Sequence, residues 1–353
     1  MTKAPGKTAR LKDVALRAGL APATVSRFLN QSITLPDETA QRIRAAIAEL
    51  NYRPNPIARS LSRGRSDTIG LALPDIANPF FSHLAAAAEV AARAGARTVV
   101  LSSTMNTLEG EIRTFDRLGQ GLFDGLLFAT NHIDEDGTLA RLVNANAGRV
   151  VLVDEDIPDS RVPKVFSDNV QGGRLAGEAL TDAGHRTIAY IGGPDRLMST
   201  IERGAGLAQA IRAAGPDARV AAELTGDYTH EHGRRAMRRV LDTMPEVTGV
   251  FFGSDTIFMG ALEVLRDAGL RLGREISAVT FDDAAPLGFL DPPVTAIRHS
   301  IDRIAAEAFA LLEEAITTTG SDGAIAPRTL RIPVACIPRA SVGPPPRAGS
   351  PPR

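Results

Sequence analysis

Arginine dominates the opening stretch of the chain. Residues 1–66 hold twelve Lys or Arg against four Asp or Glu, a net +8 in a protein of 353 residues whose overall charge is −1. A solvated basic tail would explain Lys3, Lys7 and Arg10, but not Arg27, Arg42, Arg44, Arg53, Arg59, Arg63 and Arg65. Cations concentrated on one small unit, with an acidic remainder, are the footprint of binding to a polyanion. A second set of reactive side chains closes apolar runs further on, in "TIGLALPD", "VLVDED", "VTGVFFGSD" and "ISAVTFDD". Carboxylates beyond the carboxyl ends of strands sit where open α/β sheets bind ligands. Catalytic signatures are missing: no G-x-x-x-x-G-K-[ST] loop and no G-x-S-x-G elbow occur, and "GAGLAQ" is too weak a glycine pattern for a dinucleotide. "HEH" at His230 and His232 lacks further spaced ligands and reads as a surface pair rather than a metal site. No catalysis, cofactor or metal is expected.

These groups need elements to hold them. Leu11, Val14, Ala15 and Ala18 recur at helical spacing and stop at Gly19, a C′ glycine. Pro22 suits the first turn of a second helix whose apolar stripe is Val25, Phe28 and Leu29. A third helix carries Ile43, Ala46, Ile47 and Leu50, with Asp37 and Glu38 in its first turn, where the helix dipole favours them. "NYRPNPIARSLSRGRSD" reads as a linker in which "PIARSL" is a helix too short to stand alone.

After Asp67, two series of apolar runs alternate with helical stretches, the pattern of parallel sheets covered on both faces and repeated in two lobes. Hydrophobic residues make up 44% of the chain, ordinary for a globular protein, and no run approaches a membrane span or a signal peptide. A cytoplasmic protein is expected. The single Cys336 fits a reducing compartment.

"LKDVALRAGLAPATVSRFLN", "YRPNPIARSL", "TIGLALPDIANPFF", "GHRTIAYIGGP" and "ISAVTFDD" occur in this order, and together the chain resembles the lactose-repressor/galactose-repressor (LacI/GalR) family of bacterial transcription regulators from Leu11 to about Pro338. The resemblance implies an N-terminal all-α helix-turn-helix headpiece plus an α/β, two-lobed, periplasmic-binding-protein-like effector domain. The expected division is a basic tail at 1–10, the DNA-binding headpiece at 11–53, a hinge helix and linker at 54–66, an effector-binding and dimerisation domain at 67–340, and a disordered Pro-rich tail at 341–353.

The recognition helix would present Pro22, Ala23 and Arg27 to the major groove. Arg27 can bond two acceptors of guanine, and the apolar pair can touch thymine methyl groups. Thr24 and Ser26 either hold phosphates or pack locally. Ala21 departs from the family's usual serine and loses a helix cap, at a cost of about 1 kcal/mol. By resemblance Leu61 is a minor-groove wedge, flanked by Asn55, Ala58 and Arg59; the alternative is that Leu61 packs on the effector domain.

Carried over by motif, the effector residues are Asp75, Asn78, Phe80, Asp154, Arg203, Tyr228, Ser254, Asp255 and Asp282. Carboxylates, an arginine and aromatic faces suit a polyhydroxylated ligand, a sugar or sugar acid. Asp154 and Asp255 would alternatively brace strand ends, and Asn78 would start a helix. The partners expected are double-stranded operator DNA, a small-molecule effector and a second copy of the chain, with no membrane. The Pro-rich end supplies no leucine heptads, so a dimer is expected rather than a tetramer. A corepressor-dependent regulator and a two-lobed solute-binding protein are the competing readings.

Overall fold

The computed structural model describes residues 9–30, 32–53, 65–318 and 326–346. The hinge positions Asn55, Ala58, Arg59 and Leu61 lie outside the described residues. The chain divides into a small N-terminal unit and a large α/β unit.

The small unit is built from α1 (Leu11–Ala18), α2 (Pro22–Leu29) and α3 (Asp37–Glu49). At the start of α1 the Arg10 N–H donates to the Asp13 carboxylate at 2.7 Å, and the Asp13 N–H to the Arg10 carbonyl at 2.9 Å. Gly19 ends α1 in the left-handed conformation at φ 65°, which lets the chain turn tightly into α2. Val14, Val25 and Ile43, one from each helix, are fully buried and define the core, with Ala15, Ala18 and Ala46 around them. Two of the arginines counted as DNA cations serve the fold as well. Arg42 donates to the carbonyls of Ala18 and Gly19, and the Arg44 guanidinium lies 5.7 Å from the Phe28 ring centroid.

The large unit comprises two lobes. In the first, β1 (Thr68–Leu73), α4 (Pro79–Ala94), β2 (Thr98–Ser103), α5 (Leu108–Gly119), β3 (Gly125–Phe128), α6 (Thr138–Ala145), β4 (Val150–Val153) and β5 (Lys164–Ser167) follow in order. The chain then crosses to the second lobe through α7 (Asn169–Asp182), β6 (Thr187–Ile191), α8 (Met198–Ala213), β7 (Arg219–Leu224), α9 (His230–Thr243), β8 (Gly249–Phe252), α10 (Asp255–Asp267), β9 (Ser277–Phe281) and β10 (Thr295–Arg298). It returns through α11 (Ile301–Thr318) and β11 (Thr329–Ile332) and crosses once more to β12 (Ala335–Ile337).

The two sheets have matching orders, β11-β5-β4-β3-β1-β2 and β12-β10-β9-β8-β6-β7. Parallel pairing runs through both, as the unbroken apolar runs require. The exception to the expected all-parallel arrangement is β12, antiparallel to β10. Helix α11 supplies Ile304, Ala308, Leu311 and Leu312 to the first lobe's core, although it follows the last long strand of the second.

Within the second lobe, α7 and α8 approach so closely that only glycine fits. A Cβ on Gly173 would lie 2.0 Å from the Arg203 carbonyl oxygen, and one on Gly206 would lie 2.1 Å from that of Val170. Residues 341–346, expected within a disordered tail, pack against the second lobe instead. Ser341 is fully buried, donating to the Ala278 carbonyl at 2.7 Å and accepting from the Thr295 N–H at 2.8 Å. Ser277 and His185 in turn bond the backbone of Gly343, so hydrogen bonds to strand β9 hold this segment in place.

Candidate functional site

In the small unit, Pro22 and Ala23 at the start of α2 are exposed together with Arg27, whereas Thr24 and Ser26 are half-buried. The expected presentation of Pro22, Ala23 and Arg27 therefore matches their exposure. The N-cap position, Ala21, offers no side-chain bond.

The large unit carries a cleft between its lobes, lined by Asn78, Phe80, Asp154, Arg203, Tyr228, Ser254 and Asp282 of the expected residues. Its cavity is about 30 Å³. That accommodates a couple of water molecules; a wider cavity of about 540 Å³ between the lobes shares Asn78 and Tyr228 with it and is also lined by Asp75 and Asp255.

Most of these side chains come from the ends of strands. Asp154 follows β4 and Asp282 follows β9, equivalent strands of the two sheets, and both adopt left-handed backbone at φ 76° and φ 69°. Such strain concentrates at functional sites. Arg203, on α8, is 5% exposed. Its Nε donates to Asn169 Oδ1 at 2.9 Å and its Nη1 to the Gly253 carbonyl at 2.6 Å, while its guanidinium lies 3.7 Å from the Phe281 ring centroid. Asn78 accepts from the Phe80 N–H as the N-cap of α4, and Ser254 caps α10 by accepting from the Ile257 N–H. Both thus start helices while also lining the cleft.

Two expected ligand residues line the wider interlobe cavity rather than the inner one. Asp75 is exposed and accepts from the Ala77 N–H at 2.8 Å, holding a turn after β1. Asp255 is buried at the start of α10, bonded to Thr256; burial and the nearby Asp282 charge push its carboxyl up to about 7. His232, expected at the surface, is buried with its Nε2 3.0 Å from the Gly192 carbonyl; the neighbouring His230 is exposed. Among the described residues no cluster of three or more His, Cys, Asp or Glu is arranged to hold a metal ion.

Several cleft residues escaped the sequence reading. Glu155, buried, reaches from the first lobe to the start of α8, accepting from the Ser199 N–H at 3.2 Å and bonding the Ser199 hydroxyl. Burial, reinforced by Asp154, pushes Glu155 up to about 8. His299, just past β10, bridges Ser167 Oγ at 2.5 Å and Asp282 Oδ1 at 2.6 Å. Burial alone would raise the Asp282 carboxyl, but the His299 bond and charge, with Arg203 beyond, hold it below its ordinary range. Glu155 was visible beside Asp154 in "VLVDED"; His299 follows a strand the apolar pattern did not disclose. Further lobe-to-lobe ion pairs join Arg196 to Glu135 at 2.6 Å and Arg331 to Glu202 at 2.6 Å.

A three-helix unit with an exposed basic second helix, followed by a two-lobed cleft with a buried arginine and carboxylates, defines the class of ligand-responsive DNA-binding proteins. Comparison with known proteins specifies it further. The profile of bacterial regulatory proteins, lacI family, matches residues 10–55, and that of the periplasmic binding protein-like domain matches residues 178–342. The HTH-type transcriptional regulator CelR of Thermobifida fusca is 32% identical over 314 residues, covering 87% of this chain and 92% of that protein. The structure resembles the lac repressor dimer bound to operator and the anti-inducer ONPF, with TM-score 0.82 at 26% identity, covering 96% of this chain and 100% of that one. It also resembles the complex of CelR with cellobiose, with TM-score 0.71 at 30% identity, covering 94% of this chain and 99% of that one. The chain belongs to the lacI family of bacterial regulatory proteins and is a DNA-binding transcriptional regulator. Among the described residues no helix is long and apolar enough to cross a membrane.

One buried acid supports the cleft from behind. Glu111, in the first turns of α5, is fully buried and bonds Thr130, the neighbour of the cleft residue Asn131; its Oε2 has no hydrogen-bond partner among the described residues. Burial raises this carboxyl to about 7, with the Thr130 bond opposing and Asp134 adding to the rise. A carboxyl whose folded pKa exceeds its unfolded value binds extra protons when folded, so stability is lost as pH rises from about 4.5 to 7. Glu111→Gln should therefore melt close to the parent at the acid end and several degrees above it beyond about pH 7. Thermal melts across this range check it, and parallel curves would contradict the assignment.

Proposed function

We propose that the chain is a homodimeric repressor, released from a pseudo-palindromic operator when a sugar-type polyol, a class that includes sugar acids, occupies the interlobe cleft. One observation carries this reading: a buried arginine and three acidic side chains, Asp154 and Glu155 from the first lobe and Asp282 from the second, converge on one cavity beside Phe80 and Tyr228. Bidentate donors and acceptors with an aromatic face are what vicinal hydroxyls and an apolar sugar face require. The likeness to the cellobiose complex of CelR supports the ligand class. A ligand that touches both lobes favours one lobe arrangement over another, and operator affinity changes by the ligand's preference for that arrangement.

In this reading Pro22, Ala23 and Arg27 read bases, Thr24 and Ser26 meet phosphates, and Leu61, with Asn55, Ala58 and Arg59, forms the hinge contact with the minor groove. Asn78, Phe80, Asp154, Arg203, Tyr228, Ser254 and Asp282 hold the effector. Asp75 and Asp255 meet it from the wider part of the cleft. The protein works in the bacterial cytoplasm, at the nucleoid when DNA-bound, without cofactor, metal or enzymatic activity.

Dimerisation is supported by exposed apolar side chains on the first lobe. Val90 on α4 is 72% exposed, and Val100 and Leu101 on the edge strand β2 are 40% and 43% exposed. An open apolar edge strand is a liability unless a partner covers it.

Thermal-shift screening of sugars and sugar acids, followed by operator-release assays with each hit, tests the function. A hit should release operator from the parent protein, and Arg203→Ala should abolish release while retaining operator binding; tighter operator binding with ligand would reverse the sign to corepression. Arg27→Ala should flatten preference at one base pair per half-site, losing about 1–3 kcal/mol of discrimination; an unchanged binding-site selection profile would remove Arg27 from readout. Leu101→Asp should sediment as a monomer and bind operator roughly a hundredfold more weakly, as loss of two-site attachment dictates; a persisting dimer would place the interface elsewhere.

A further inference from the structure

The cleft contains two cavities of opposite character. The inner one, about 30 Å³, is walled mostly by polar groups, Asp154, Glu155, Arg203 and Asp282 among them. The wider one, about 540 Å³, has a mostly apolar wall, to which the first lobe gives Ala77 and Pro79 and the second gives Met259, Ala285, Pro286 and Leu287. The two are continuous. Asn78 and Tyr228 line both, and a small cavity of about 40 Å³ joins them, meeting the inner one at Phe80, Asp282 and His299 and the wider one at His83, Asp255 and Ala284.

The sequence explains the contrast. The wider cavity is bounded by "PDIANP" leading into α4, by the first turns of α10 and by "AAPL" at 284–287. Alanine and proline keep these segments apolar without filling the space between them. Several polar side chains on the lining turn back onto the protein: Asp75 accepts from the Ala77 N–H at 2.8 Å, Asn78 accepts from the Phe80 N–H at 2.9 Å, and the Tyr228 hydroxyl bonds that of Ser199 at 2.9 Å. A cavity of this size, apolar with a few polar groups, falls in the range of roughly 300–1,000 Å³ that small-molecule sites span.

We propose that the wider cavity receives an apolar aglycone, so that the effector is a glycoside with a polyol head and an aryl- or alkyl-type body rather than a free sugar; this deepens, and rests on, the sugar-type reading above. The hydroxyls of the head exchange hydrogen bonds with the acidic groups and guanidinium of the inner cavity, while the body contributes by removing apolar surface from water. Both lobes supply the apolar wall, so the body bridges them as the head does. A phenyl-sized group buried there raises affinity by about one to two powers of ten. A hydroxylated body, such as a second sugar ring, would give up water without finding equivalent partners on Ala77, Pro79, Ala285 and Pro286, and gains less.

The test is titration calorimetry on the full-length protein with series that share one head: the free sugar, its methyl glycoside, its phenyl glycoside and a disaccharide, in both anomers, with hexoses, pentoses and uronic acids as heads. For whichever head binds, the phenyl glycoside should bind at least about tenfold more tightly than the methyl glycoside, more tightly than the disaccharide, and with the more negative heat-capacity change that apolar burial produces. Ala285→Glu puts a carboxylate on the wall at an exposed turn position and should bring the phenyl-to-methyl ratio to within about threefold. Ala77→Glu, also at an exposed position, makes the same test from the first lobe and stands in if the other fails to fold; should neither fold, the parent's ratio and heat capacity decide. Phenyl and methyl glycosides binding alike, or a disaccharide outbinding the phenyl glycoside, would overturn the proposal while leaving the sugar-type reading intact. A tenfold ratio that survives both substitutions would place the aglycone elsewhere and overturn it too. If no head binds in any form, the sugar-type reading falls and this proposal falls with it.

Discussion

A permanent positive charge sits inside the cleft, and much of the surrounding architecture serves to keep it there. Arg203 is 5% exposed and cannot shed its proton, so it must be matched by acceptors and opposite charge. Asn169 and the Gly253 carbonyl take two of its donors, Phe281 covers a face of the guanidinium, and Asp282 and Asp154 supply negative charge nearby. Those partners come from four different elements. Their convergence depends on the tight contact of α7 with α8, where Gly173 lets the Arg203 backbone approach and Gly206 returns the favour for Val170. Added bulk at either glycine would move the arginine as well as the helices.

Closure is then a matter of what crosses from lobe to lobe. The backbone crosses three times, after β5, after β10 and after β11, and polar contacts lace these crossings together. Asp168 donates its N–H to the Ile332 carbonyl, Val334 donates to Gln171, and His299 joins Ser167 to Asp282. Ion pairs of Arg196 with Glu135 and Arg331 with Glu202 are more exposed and worth correspondingly less. Buried contacts such as Glu155 with Ser199 therefore weigh more in setting the lobe arrangement.

Much of this was legible beforehand, for physical reasons. The three short helices announced themselves through Gly19, Pro22 and the spacing of Val14, Val25 and Ile43, and all three apolar markers are fully buried. Eight strands stood out as apolar runs: β1, β3, β4, β6, β8 and β9 because they are buried on both faces, and the edge strands β2 and β7 although much of their length is exposed. Strand β5 ("KVFS"), β10 ("TAIR") and β11 ("TLRI") are short and interrupted by charge, so periodicity passed over them, and with them His299. Charge counting could not separate Arg27, exposed on α2, from Arg42 and Arg44, which bond carbonyls and cover Phe28, because that division is set by packing. Asp75 and Asp255 carry the same residue type at strand ends as Asp154 and Asp282, yet only the latter pair lines the innermost cavity, the former lining the wider one beside it. What separates them is backbone: both innermost aspartates have positive φ, and no pattern of residue types encodes that.

The equivalence of Asp154 and Asp282 has a further consequence. Each sits at the same station of its own sheet, so the cleft is two halves of one plan facing one another, each presenting one aspartate to the cavity. A guest resting on a single half forgoes the other half's contribution, and the tightly bound form exists only when both come within reach. Affinity is thereby a gauge of the spacing between halves, and any substitution that alters that spacing, however remote from the guest, changes the strength of association without touching a single contact atom.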